Sequence, residues 1–256
     1  RLDPRVKIVC TLLFLVSLFI QNSLLGYVIA TIFLGCVIRL SRVPVKYIVK
    51  GLKPIVVLLM FTVVMNLFLT RGGDTLVHFW IFTITEEGLR TSVFMAIRLI
   101  YLVMGSSIMT FTTSPNGLTD GLEKLLRPLN RINIPVHEVA MMMSIALRFI
   151  PILLEETDKI MKAQLARGAD FESGNIIQRA KAMTPILVPL FVSAFRRAND
   201  LAMAMEARCY NGGEGRTKMK PLKYKAQDRW AYVITVLYMV IIFVVGRFVP
   251  VKLWIF

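Results

Sequence analysis

The sequence predicts an all-α integral membrane protein with about five transmembrane helices plus long cytosolic helices, and three observations predict it. First, 56% of the 256 residues are hydrophobic and only 18% are charged. A soluble domain of this length would have too little polar surface to cover that apolar content. Second, the apolar residues gather into runs close to the roughly 20 residues that cross a hydrocarbon core. Third, residues 113–228 interrupt those runs with a charged, proline-punctuated stretch that is still rich in Leu, Ile, Met and Ala.

The elements follow in order. Val6 to Ile20 is apolar and spans only if tilted. Gln21-Asn22-Ser23 is a turn signal, and Leu24 to Ile38 is apolar again, so the two runs form a hairpin of short spans. Pro54 to Thr70 is a third span, closed by Arg71-Gly72-Gly73-Asp74. Leu76 to Thr85 is short, aromatic and interrupted by His78, which predicts an interfacial or re-entrant segment. Gly88 to Thr112 holds the fourth span and Trp230 to Phe248 is the fifth. The run Leu12 to Ile20 lacks a short polar cleavage region after it, so it is not read as a cleavable signal. The chain starts with Arg1 rather than Met, so residues ahead of it are expected to be missing.

A net charge of +15 suggests nucleic acid in a polar domain with clustered basic and aromatic residues. Here it follows membrane topology, and no nucleic-acid partner is expected. Arg1, Arg5 and Lys7 precede the first span. Arg39, Arg42, Lys46, Lys50 and Lys53 fill the loop between spans two and three, with no acid among them. The segment Arg71 to Glu87 sets one basic residue against Asp74, Glu86 and Glu87. The excess of Lys and Arg on cytoplasmic loops puts the N-terminus and the 39–53 loop inside. Five spans then leave residues 113–228 in the cytoplasm and the C-terminus outside. The expected division is 1–112, a membrane region of about four spans; 113–228, a cytosolic region of long helices; and 229–256, a final transmembrane helix.

Residues 113–228 carry 17 Lys and Arg against 12 Asp and Glu. Ser114-Pro115 with Asn116 opens a helix that Pro128 stops. Ile134-Pro135 opens a second, running from Val136 to Ala169, about 50 Å at 1.5 Å per residue. Pro151 should kink it near its middle. Ser173-Gly174-Asn175 breaks the chain. A third helix runs from about Ile176 to Tyr210, bent by Pro185 and Pro189 and stopped by Asn211-Gly212-Gly213. A basic, flexible tail from Glu214 to Lys225 leads back to the membrane. Met141, Met142, Met143, Met161, Met183, Met203 and Met205 enrich this region. Methionine packs adaptably, although core filling is the ordinary role of any one of them.

Both long helices end in one frame. Ala163-Gln164-Leu165-Ala166-Arg167-Gly168 and Ala204-Met205-Glu206-Ala207-Arg208-Cys209 are each Ala-x-x-Ala-Arg-small. A planar guanidinium can grip carboxylates at two points, so Arg167 and Arg208 are candidate anchors for acidic grooves on a partner. Small neighbours (Ala166, Gly168, Ala207, Cys209) let a partner surface come close. A single arginine there would more simply offset the helix C-terminal dipole. Two copies of the frame at matching ends reverse that preference.

Other candidates carry less. Arg98 lies inside the fourth span, where a charge is a functional candidate by default, with snorkelling toward an interface as the alternative. Arg148-Phe149-Ile150-Pro151 reads as a hinge whose arginine pairs with an acid such as Glu155 or points to lipid headgroups. Glu155, Glu156 and Asp158 form a solvated or salt-bridged face beside Lys159 and Lys162. His78 and His137 have no ligand spacing, and Cys10, Cys36 and Cys209 have no C-x-x-C spacing, so neither a metal site nor a disulfide is expected. Gly212-Gly213-Glu214-Gly215 is not a P-loop, and no nucleophile–base arrangement occurs, so no catalytic residue and no cofactor is assigned.

Together, Arg148-Phe149-Ile150-Pro151, Glu155-Glu156, Ala163 to Gly168, Glu206-Ala207-Arg208 and the opening Leu2-Asp3-Pro4-Arg5-Val6-Lys7 resemble the transmembrane T component of energy-coupling factor transporters. The resemblance covers essentially the whole chain. The second motif departs from the family pattern in carrying Cys209 where glycine is commoner. The resemblance implies a non-catalytic scaffold in the bacterial cell membrane. It would join two ATP-binding-cassette ATPase subunits, which bind ATP and Mg, to a membrane S component that captures a vitamin or a metal ion. Arg167 and Arg208 would sit in grooves of the two ATPases, and the Met-rich helices would face exchangeable S components.

Two other classes compete. A membrane-embedded phosphotransferase would frame its Ala-Arg motif with metal-holding aspartates, whereas here Asp170 stands alone after Arg167. A stand-alone secondary transporter would show repeated spans around a midplane site, and the only repeat here lies outside the spans.

Overall fold

The computed structural model describes residues 2–21, 23–69, 75–79, 82–171, 173, 175–212 and 221–248. Ten α-helices occur among them: α1 (Pro4–Ile20), α2 (Leu24–Ser41), α3 (Val45–Leu52), α4 (Val56–Leu69), α5 (Glu86–Thr112), α6 (Pro115–Leu126), α7 (Val136–Ala166), α8 (Ile176–Ala182), α9 (Thr184–Glu206) and α10 (Ala226–Phe248). Three-residue-per-turn helix fills Lys53–Ile55 and Arg127–Ile132. Two compact units result, one of residues 1–121 with 222–256 and one of residues 122–221.

In the first unit α1 lies against α5 and α10. Its core is Phe14, Leu18, Ala30, Leu34, Ile48, Ile108, Tyr238 and Ile242. The Phe33 and Tyr238 rings stack at 4.2 Å between centroids, and Phe14 packs on Phe33 at 5.8 Å. The Tyr238 hydroxyl, buried among these rings, pairs with Ser17 Oγ at 2.9 Å. A side chain at Gly105 would meet the Phe14 ring at 2.8 Å, so glycine sets the close approach of α5 to α1.

Sequence signals explain the helix starts. Asp3 caps α1 by accepting the Arg5 N–H at 2.9 Å, with Pro4 opening the helix. Ser23 caps α2 through Gly26 N–H at 3.3 Å. Ser114 caps α6 through Gly117 N–H at 3.2 Å. Lys225 stands just before α10, and Asp228, three residues on, accepts the Lys225 N–H at 2.7 Å, one half of a capping box. The other Asp228 oxygen accepts the Asp3 N–H at 2.8 Å, so one buried carboxylate ties the start of α1 to the start of α10.

Five helical segments among the described residues are long and apolar enough to cross a membrane: Leu24–Ser41, Val45–Asn66, Gly88–Thr112, Val136–Ala166 and Ala226–Arg247. The number is the expected one but the set is not. α1 has 17 residues, one fewer than the shortest of these, while α7 joins them. The second half of α7 differs from the first, with Glu155, Glu156, Asp158, Lys159 and Lys162 within eight residues.

Three local expectations are corrected, and one segment gains its secondary structure. The basic 39–53 segment is mostly helix, since only Arg42–Pro44 separate α2 from α3. Lysines at helical spacing read as loop charge when no apolar run accompanies them. The segment expected to be interfacial or re-entrant carries two antiparallel strands, Thr75–Phe79 with Phe82–Thr85, pairing Val77 with Ile84 and Phe79 with Phe82. The single third helix is two, α8 and α9, broken at Met183, and Pro185 stands in the first turn of α9. There its missing N–H costs no helical bond, so it starts a helix rather than bending one. The second helix ends at Ala166, three residues before Ala169. Arg71 to Asp74 and most of the basic tail lie outside the described residues.

Candidate functional site

The two Ala-Arg frames close their helices in the same way. At the end of α7, Gly168 N–H donates to Leu165 O at 2.9 Å and Ala169 N–H to Gln164 O at 3.0 Å. At the end of α9, Cys209 N–H donates to Glu206 O at 2.8 Å and Tyr210 N–H to Met205 O at 3.0 Å. Both patterns are Schellman motifs, with the arginine just past the helix in the motif's capping position and the next residue left-handed. Gly168 has φ +86 and Cys209 has φ +54. The residue after each arginine therefore has a backbone role, beside the close approach that its small size allows. Glycine takes this conformation freely, while Cys209 carries a cost of about 1 kcal/mol.

Arg167 and Arg208 are exposed, as are Ala166, Gly168, Ala207 and Cys209. Among the described residues neither guanidinium has a hydrogen bond or an ion pair, so both point their donors to the surroundings. Each stands at the negative end of a helix, where the unpaired carbonyls lie.

The two ends are far apart. α7 packs on α9 within the second unit. Gln164 Nε2 donates to Pro185 O at 3.2 Å, and Arg197 Nη2 donates to Glu156 Oε2 at 3.2 Å. Moving forward along α7 thus moves backward along α9, and the pair is antiparallel. Arg167 stands beside the start of α9 and Arg208 at its finish. From Pro185 to Arg208 is about 35 Å along a straight axis. One groove cannot take both arginines, but two similar grooves on two bodies can.

The prolines differ. Pro151 lies inside an unbroken α7, and its missing N–H removes the donor that would meet Leu147 O. Pro189 lies inside α9, two residues after the first turn. Pro185 is the helix opener described above. Glu156, read from the sequence as solvated or paired along its own helix, reaches across to Arg197 instead. That pair is partly exposed and is worth a few tenths of a kcal/mol up to about 1. Arg148 is exposed, and no ion pair to Glu155 forms among the described residues. His137 Nδ1 meets Glu123 Oε1 at 3.0 Å.

Arg98 receives a structural place. Its Nη2 donates to Gln21 O at 3.1 Å, just past the end of α1, and its guanidinium sits 5.6 Å from the centroid of the Phe19 ring. Cys10, Cys36 and Cys209 are free thiols. No group of three His, Cys, Asp or Glu among the described residues is placed to hold a metal ion.

Sequence comparison adds to the geometry. The profile of the family described as CbiQ, cobalt transport protein, matches residues 1–219. A protein of Clostridium kluyveri named energy-coupling factor transporter transmembrane protein EcfT is 58% identical over 229 residues, 89% of this chain and 85% of that protein. The protein of the same name from Thermosediminibacter oceani is 54% identical over 92% of this chain and 88% of its own length. The one from Bacillus subtilis is 49% identical over 89% and 86%.

Proposed function

Because the chain belongs to the CbiQ family of cobalt transport proteins, among relatives that are transmembrane components of energy-coupling factor transporters, we propose that it is the force-transmitting subunit of such a transporter. It is a multi-pass membrane protein and a transporter component. In the proposal it performs no chemistry itself. Two ATP-binding-cassette ATPase subunits bind ATP and Mg, and a membrane S component holds the vitamin or metal ion being taken up.

The twin helix ends carry this reading. Two equivalent caps place two unpartnered guanidinium groups at opposite ends of α9. That arrangement suits two copies of one kind of acidic groove, one on each ATPase subunit. In the proposal the charged end of α7 with Arg167, and the end of α9 with Arg208, face the cytoplasm, as does the N-terminus. The Gln164 and Arg197 contacts make α7 and α9 move as a pair, so displacement at either arginine reaches both helices. Exposed Met142, Met143 and Met203 supply an adaptable apolar surface suited to exchangeable S components.

The test is co-purification of the wild-type chain and the Arg167→Glu/Arg208→Glu variant with the cognate ATPase subunits, with ATPase activity measured on each complex. Wild type should retain both subunits, each single variant should weaken the assembly, and the double variant should lose it or hydrolyse ATP without uptake. An intact, transporting double variant overturns the proposal.

A further inference from the structure

The first unit has a second charged surface that the docking arginines do not use. The starts of α1, α3 and α10 and the finish of α5 share one end of this unit. Lys7 Nζ donates to Thr112 O, Tyr47 packs against Phe111 with centroids 6.5 Å apart, and Asp3 meets Asp228. At this end Arg39 and Arg42 close α2, and Lys46, Lys50 and Lys53 follow on α3 and the turn after it. All five are exposed. Residues 4–73 contain no Asp or Glu, and none of the five is ion-paired among the described residues.

The lysines are not scattered. Lys46 and Lys50 line one face of α3, and Lys53, three residues on, extends the line just past its end, over about 10 Å. Ile48 is fully buried on the opposite face, which fixes the lysine face outward. Like charges at these spacings repel, so the stripe destabilises its own helix unless an anion lies along it. An apolar stripe continues from it along α4, with Val57 76%, Met60 62% and Phe61 61% exposed. Cations beside an exposed aliphatic and aromatic surface match the two halves of a phospholipid.

We propose that Arg39, Arg42, Lys46, Lys50 and Lys53 form a binding surface for the headgroups of anionic phospholipids, whose acyl chains lie along Val57, Met60 and Phe61. The lysine stems lie along the apolar surface and raise their ammonium groups to the phosphates. This rests on the membrane placement of the chain and not on the docking of ATPases. A basic cluster at the end of a span gains about five-fold in affinity per cation near an anionic surface, so three lysines give roughly a 100-fold preference.

The experiment uses the full chain in mild detergent, titrated with phosphatidylglycerol or phosphatidylcholine while the melting temperature is followed. Phosphatidylglycerol should raise the midpoint and phosphatidylcholine should not. The Lys46→Gln/Lys50→Gln/Lys53→Gln variant should need roughly 100-fold more phosphatidylglycerol for the same shift, by the same cation count. The matching Lys→Arg variant should respond as wild type, which separates lost charge from lost folding. Lys159→Gln/Lys162→Gln, on α7, should also respond as wild type. An equal response to both lipids, or an unchanged response in the Gln variant, overturns the proposal. So does a shift reproduced by inorganic phosphate or glycerol phosphate alone, which would make the ligand a soluble anion. A Gln variant that keeps its lipid response but loses ATPase subunits would assign the stripe to a protein partner and overturn it as well.

Discussion

Arg98 of α5 donates to the main-chain carbonyl of Gln21, 3.1 Å away, just beyond the end of α1. The exchange is mutual, because Lys7 of α1 donates to the carbonyl of Thr112, the last residue of α5. The two helices run antiparallel, and each supplies a cation to the carbonyl end of the other. Helix C-termini carry partial negative charge and unpaired acceptors, so both contacts satisfy groups that would be costly to leave bare.

Replacing Arg98 by methionine keeps much of the volume and removes the donor. The expected loss is about 1–3 kcal/mol, the cost of leaving a buried carbonyl unmet, read as a lower melting temperature in detergent. Arg98→Lys keeps the charge without the planar fork and should lose less. If Arg98→Lys melts as wild type but fails to support uptake in vesicles, Arg98 acts in transport and not only in holding α1.

The left-handed residues after the two arginines make opposite predictions. A Cβ at Gly168 would meet nothing within 4 Å, so Gly168→Ala tests backbone strain alone. It should destabilise the end of α7 by about 1 kcal/mol. Cys209→Gly should relieve a similar strain at the end of α9 and raise stability by up to about 1 kcal/mol. Hydrogen exchange at Ala169 and Tyr210, the amides that close the two motifs, gives the measurement. Faster exchange at Tyr210 in Cys209→Gly would contradict this account.

These two sites show what was legible in the chain. Apolar runs and proline positions are local signals, and most of the helices and the span count follow from them. The twin Ala-Arg frames are local as well, and so is the left-handed turn at Gly168, since a glycine just past a helix signals it. The partner of Arg98 is 77 residues away, and no local pattern points to a backbone carbonyl. Glu156 has acceptable partners on its own helix, so sequence favours those over Arg197. α3 was hidden because eight residues with two lysines give no apolar run. The break at Met183 was hidden because Pro185 fits a helix start and a helix bend equally well.

Asp3 makes the start of α1 sensitive to acid. Burial raises its carboxyl pKa, but the hydrogen bonds and charge of Arg5 outweigh that, and the group is held below its ordinary value of 3.8. A carboxyl depressed in the folded state contributes stability that is complete above the unfolded value and is lost as pH falls through the folded one. The wild-type melting temperature should therefore drop below about pH 4. Asp3→Asn keeps a cap but loses the ion pair, so it should start lower and fall less over the same range. Parallel acid profiles for the two proteins would remove Asp3 from the account.

Pro151 gives the test that separates motion from assembly. Its ring removes the hydrogen bond that Leu147 O would accept in the middle of α7 and costs an uninterrupted helix about 3 kcal/mol. Pro151 is exposed, so little packing is lost when the ring is removed. Pro151→Ala should therefore raise the melting temperature of the chain. If α7 must flex there to carry displacement from Arg167, the same change should slow ATP-driven uptake in vesicles while the ATPase subunits still co-purify. A stiffer, more stable and slower transporter is the expected outcome. A more stable one with unchanged uptake would show that α7 moves as a rigid rod and that the proline serves only its local geometry.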